Sequence, residues 1–139
     1  MTPNTAEEPI PNDLDECIIH LKNKIPSEDL KAFGDLPERR AGGIAHHGLE
    51  QHLRNTWGLW TGSSLKSWFE ERGIWHADDM SDIILDSLHR DLNGEPIRFE
   101  EQIESYRQYW MLSEKLKKDG SARLNVQKDG NFTVIKEDE

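Results

Sequence analysis

Apolar residues recur along this chain every three or four positions, and that spacing divides it into helices. Leu14, Ile18, Leu21 and Ile25 fall on one face of a helix that Asn12 or Asp13 can cap. Pro26-Ser27-Glu28-Asp29 predicts a second start, a serine cap with acids where the helix dipole favours negative charge, and the helix ends near Phe33-Gly34. Asp35-Leu36-Pro37-Glu38 repeats the signal. Ala41, Ile44, Ala45, Gly48, Leu49, His52, Leu53 and Thr56 then mark one stripe. Gly42 and Gly43 each weaken that helix by about 1 kcal/mol, so its expected part is residues 44–57. A helix over residues 65–72 presents Leu65, Trp68 and Phe69, stops at Gly73 and lets Ile74 fold back on it.

Asp78 or Asp79 can cap the next helix, which runs to Leu92. Its buried side is Met80, Ile83, Ile84, Leu88 and Leu92, and Asp82 and Asp86 lie on its outer side. Asn93-Gly94 stops it. A long helix over residues 96–118 carries the stripe Phe99, Ile103, Tyr106, Trp110 and Ser113, and ends in Lys115, Lys117 and Lys118. Past Gly120 the apolar and β-branched residues flank Asp129-Gly130, a hairpin turn signal. A lone two-stranded hairpin is marginal in water, so it should dock on something. The pattern predicts an all-α fold, a compact bundle of about five helices with a small C-terminal β-hairpin or ordered tail. Residues 1–11 read as a flexible arm, 12–120 as the helical domain, and 121–139 as the hairpin or tail.

Four of the five tryptophans, Trp57, Trp60, Trp68 and Trp75, lie within nineteen residues around the corner Gly58–Gly62. Each ring can bury roughly 200 Å², so the expectation is an aromatic core around a helix–corner–helix. The alternative is that some rings line a groove, because tryptophan is a frequent hot-spot residue in interfaces. Thr61, Ser63 or Ser64 can cap the helix that leaves the corner.

Composition narrows the functions. Mean hydropathy is -0.82 and formal net charge is -10 over 139 residues, which is the size of one domain. Residues 41–96 hold nine acids and four bases, whereas residues 97–139 are close to balanced. Binding phosphates needs clustered Lys and Arg, so direct nucleic-acid binding is disfavoured and a basic protein partner is favoured. No apolar run is long enough to cross a membrane and no secretory signal opens the chain. The single Cys17 allows no internal disulfide, which points to the cytoplasm.

Within residues 46–94 several motifs stand together: His46-x-Gly48-Leu49, Leu53-Arg54-Asn55-x-Trp57-Gly58-Leu59-Trp60-x-Gly62-Ser63, Gly73-Ile74-x-His76-x-Asp78-Asp79-Met80-Ser81, and His89-Arg90-x-Leu92-Asn93-Gly94. They resemble a small bacterial or phage helical domain family of unknown function, over about residues 13–112. The resemblance implies a compact helical domain and carries no catalytic role.

The candidate chemistry is sparse. His46 and Glu50 are four apart, and with His76 and Asp79 they could hold a metal through imidazole and carboxylate. Arg54, Asn55, Trp57, Trp60, His76 and His89 are candidates for a ligand pocket, with the arginine and histidines suited to an anion. Arg54 and Asn55 could instead satisfy the carbonyls of the corner. Cys17 has no feature that would lower its pKa, and no nucleophile-elbow or phosphate-loop motif occurs. No cofactor is called for and nothing requires an enzyme. The leading expectation is a non-catalytic acidic protein-binding module, such as an inhibitor or immunity-type protein blocking a basic or nucleic-acid-binding partner. Asp78, Asp79, Asp82 and Asp86 are its candidate contact face. The alternatives are a metal- or small-ligand-binding enzyme, and a structural domain of a bacterial or phage assembly. Homodimerisation is a further possibility.

Overall fold

A computed structural model describes residues 9–37, 47–119, 122–126 and 132–136. The fold class is all-α. Among the described residues there are six helices: α1 (Leu14–Lys24), α2 (Ser27–Asp35), α3 (His47–Thr56), α4 (Ser64–Glu70), α5 (Ala77–Leu92) and α6 (Phe99–Asp119). The chain divides into two compact units, Met1–Ile97 and Arg98–Glu139. Residues 1–8 of the arm expected over 1–11, Gly42-Gly43 and His46 lie outside the described residues.

The helix ends follow local chemistry. Asp13 caps α1, its carboxylate accepting from Glu16 N–H at 2.9 Å, while Glu16 accepts in turn from Asn12 N–H at 2.9 Å. Ser63 caps α4 by accepting from Lys66 N–H at 3.1 Å. Two expected caps differ. α2 starts behind Pro26, and α5 starts behind His76, in both cases without a side-chain cap bond. Asp78 and Asp79 sit instead inside the first turn of α5, where the dipole still favours them.

Three helix exits share one device. Gly58, Gly73 and Gly94 have positive φ, and the residue after each sends its N–H back into the helix: Leu59 to Arg54 O, Ile74 to Phe69 O and Glu95 to Arg90 O. Gly58 also has no room for a side chain, because a Cβ there would lie 2.7 Å from Gly62 O.

In the unit Met1–Ile97, α1, α2, α3 and α4 all pack on α5. Met80, Ile83, Ile84, Leu85 and Leu88 of α5 are fully enclosed, joined by Cys17, Leu65 and Phe69. Each large aliphatic side chain enclosed this way contributes roughly 1.5–3 kcal/mol. A helix surrounded on most sides also buries polar positions, here Ser81, Asp86, Ser87 and His89. That corrects the expectation for Asp86, which is not on an outer side but only 8% exposed. The aromatic-core expectation is corrected as well. Trp57 is buried, Trp68 is half-buried, and Trp60 and Trp75 stand out at 54% and 64% exposure. The aliphatic helix α5 fills the centre and leaves no volume there for the remaining indoles.

Side chains at the C-terminal end of α5 hold α1 and α2. His89 Nε2 lies 2.6 Å from Leu36 O, Asn93 Nδ2 donates to Gly34 O at 3.0 Å, and Lys22 pairs with Asp91 at 2.8 Å. The first two satisfy carbonyls that the end of α2 leaves open, and the third ties α1 to α5. A Cβ at Gly34 would meet Leu92 at 3.4 Å, an ordinary van der Waals contact, so this approach does not depend on glycine.

In the unit Arg98–Glu139, α6 is followed by backbone extended at β1 (Ala122–Val126) and β2 (Phe132–Lys136), in antiparallel register with Ala122 opposite Lys136. The turn expected at Asp129-Gly130 lies outside the described residues.

Candidate functional site

The polar feature the fold builds most deliberately is at the junction of α3 and α5. Arg54, near the end of α3, is 8% exposed. Its Nη1 donates to Ser81 Oγ at 2.9 Å and stands 3.6 Å from Glu50 Oε1, one helical turn back. Its Nε stands 3.4 Å from Asp78 Oδ1. Ser81 passes the link on, donating to Asp78 O at 3.0 Å. Burying a guanidinium is costly unless it is paired and hydrogen-bonded; here Ser81 supplies the hydrogen bond to Nη1 and Glu50 and Asp78 supply opposite charge, while the buried Nε makes no hydrogen bond. Glu50 is itself buried, while Asp78 reaches water.

Around this node the surface is aromatic and acidic. The Arg54 guanidinium lies 5.7 Å from the centre of the Trp60 ring, a cation–π arrangement. Trp75 stands exposed two residues ahead of α5, and Asp78 and Asp79 open that helix. Arg54, Trp60, Asp78 and Asp79 were site candidates from the sequence, whereas Trp75 stood out only as one of the four clustered rings, and Arg54 has a role other than the corner. It does not serve the carbonyls of the corner, which are met within the corner: Arg54 O accepts from Leu59 N–H and Gly58 O from Gly62 N–H. Asn55 is exposed beside it.

The pocket set does not assemble. His76 and His89 stand at opposite ends of α5, thirteen residues and therefore about 20 Å apart along its axis. His89 is buried with its ring edge-on to Phe33 at 5.6 Å. Trp57 is enclosed, with His20 edge-on to it at 5.6 Å. His20 belongs to α1, far from the corner in the chain, so this contact carries no signal in the local spacing.

The four aspartates do not form one exposed row either. Asp78 is exposed, Asp79 and Asp82 are half-buried, and Asp86 is buried. Of the metal candidates, His46 lies outside the described residues, Glu50 faces Arg54, and His76 is exposed at the start of α5. Among the described residues no group of three His, Cys, Asp or Glu is placed to hold a metal ion. No helix among them is long and apolar enough to cross a membrane.

Cys17 is fully enclosed, and burial, then the charges of Asp13 and Glu16, push its thiol well above the usual range. A neutral enclosed thiol is a poor nucleophile. A disulfide-exchange reagent added to the native protein should therefore leave Cys17 unmodified and label it only in denaturant. Stoichiometric labelling within seconds under native conditions would contradict this.

Comparison with known families matches residues 10–92 to the family described as "Domain of unknown function (DUF6794)", which is more than half of the chain. The chain belongs to that family. The matched span ends in the last turn of α5, so the DUF6794 domain takes in α1 to α5 and the Arg54 node, and α6 lies beyond it. No curated protein and no solved structure matches the chain.

Proposed function

We propose that the DUF6794 domain of this chain is a non-catalytic protein-binding module. It docks on a basic protein, as an inhibitor or immunity-type protein does, through Trp60, Trp75, Asp78 and Asp79. The observation that carries this reading is the exposure of Trp60 and Trp75 beside the acidic opening of α5. Tryptophan is among the side chains that most often dominate interface energetics. The node below gives these residues a rigid footing: Arg54 is fixed by Ser81 and Glu50 and presents both Asp78 and the Trp60 ring. The net charge of -10, concentrated in the first two thirds, draws in a cationic partner and speeds its association. The same charge opposes phosphate backbones, so the partner is read as protein.

Asp82 flanks this surface, and Asp86 contributes only to the field. The setting under this reading is the cytoplasm of a bacterial or phage-infected cell, supported by the motif resemblance and by a single enclosed thiol.

The test begins with native mass spectrometry of the protein purified untagged from its own host, followed by affinity measurements on the complex. Trp75→Ala should weaken binding by about 2 kcal/mol, roughly thirtyfold. Asp78→Asn with Asp79→Asn should slow association and flatten its salt dependence. A chain that carries no protein, or a complex indifferent to all three substitutions, would sink the proposal.

A further inference from the structure

The exposed side of α6 has an order that the contact surface above does not use. Glu100, Glu104, Arg107, Met111, Glu114 and Lys115 are all exposed. At about 100° per residue they fall in one sector of roughly 100°. Met111 is 65% exposed, and Trp110 beside it is also open to solvent, near the middle of the 21-residue helix. Charge changes sign along the helix. Glu100, Glu101 and Glu104 stand before the centre, and Lys115 and Lys117 stand after it. Such a stripe repels itself in parallel, with Glu104 facing Glu104, and complements itself in antiparallel.

We propose that α6 pairs antiparallel with α6 of a second copy of this chain, about a twofold axis between Tyr109 and Trp110. A twofold sets a residue before the centre against the one equally far after it, and every contact occurs twice. Glu104 then faces Lys115 of the second copy, and Gln108, also exposed, faces Met111. Met111 of each copy lies just past the axis, near the centre, where apolar anchors contribute most to an interface. Within the chain Glu104 lies 3.4 Å from Arg107, both of them about half exposed. Such an i,i+3 surface pair is worth less than about 1 kcal/mol and yields readily to a partner across the interface. A helix of 21 residues is about 30 Å long, so this contact belongs to the small, concentration-dependent class. The inference stands independently of the proposed basic partner, because α6 lies outside the matched domain.

Sedimentation equilibrium of the full chain over a concentration series tests it. The expected result is a reversible monomer–dimer equilibrium that weakens with salt. Glu104→Lys and Lys115→Glu, both at exposed positions, should each weaken the dimer about tenfold, because two attractive pairs become repulsive. An equimolar mixture of the two variants should associate as well as the original chain, since in the mixed pair each substituted residue meets its opposite charge. Circular dichroism confirms that both variants keep their helix content. A monomer at every concentration up to about 1 mM overturns the proposal. So does a dimer that neither variant weakens, or a mixture no tighter than its components.

Discussion

Replacing Arg54 by methionine should destabilise the domain by about 3–5 kcal/mol, close to the whole stability of many small proteins. Methionine keeps most of the apolar stem and removes the charge. The loss therefore falls on Glu50, left buried without its cation, and on Ser81, which loses the donor at 2.9 Å. Asp78 does not share this fate. Its carboxylate reaches water, so Asp78→Asn should cost less than about 1 kcal/mol. Adding Glu50→Gln to Arg54→Met should recover part of the loss, because the uncompensated charge is then gone. Urea unfolding of the four proteins measures this directly, as a lower midpoint with an unchanged slope. If Arg54→Met stays within about 1 kcal/mol of the original, the node is not what joins α3 to α5.

The second large effect is a contrast. Leu88→Ala should cost about 2–5 kcal/mol, whereas Trp75→Ala should change stability by no more than about 0.5 kcal/mol. Leu88 is fully enclosed on α5, the helix on which α1 to α4 pack, and its removal leaves a cavity that close-packed neighbours cannot fill. Trp75 has the larger ring, yet most of it faces solvent. The same urea experiment decides, and the reverse ranking would overturn the placement of the core in α5. The pair also separates the two properties of the chain, because Trp75→Ala should lose the partner and keep the fold.

Much of the local structure was legible in the residues. The stops at Gly58, Gly73 and Gly94 follow from glycine's freedom at positive φ, and the caps at Asp13 and Ser63 follow from a side chain reaching a backbone N–H two or three residues on. Those are short-range events that spacing alone specifies. The stripe Met80, Ile83, Ile84 and Leu88 was legible for the same reason. What periodicity could not show was that α5 is surrounded on most sides. Ser81, Asp86, Ser87 and His89, spread around the rest of its circumference, read as polar and are buried because other elements supply partners such as Arg54 and Leu36 O.

The candidate site divides along the same line. The sequence by itself determined the helices, the corner and the residues with binding chemistry, because each depends on neighbours a few positions away. Only the tertiary structure decided which tryptophans face water, that Arg54 answers Glu50 and Ser81 rather than the corner, and that His76 and His89 stand at opposite ends of one helix. The reason is physical. A ring or a charge is buried or exposed according to which elements fill the space beside it, and that space is shared among residues distant in the chain.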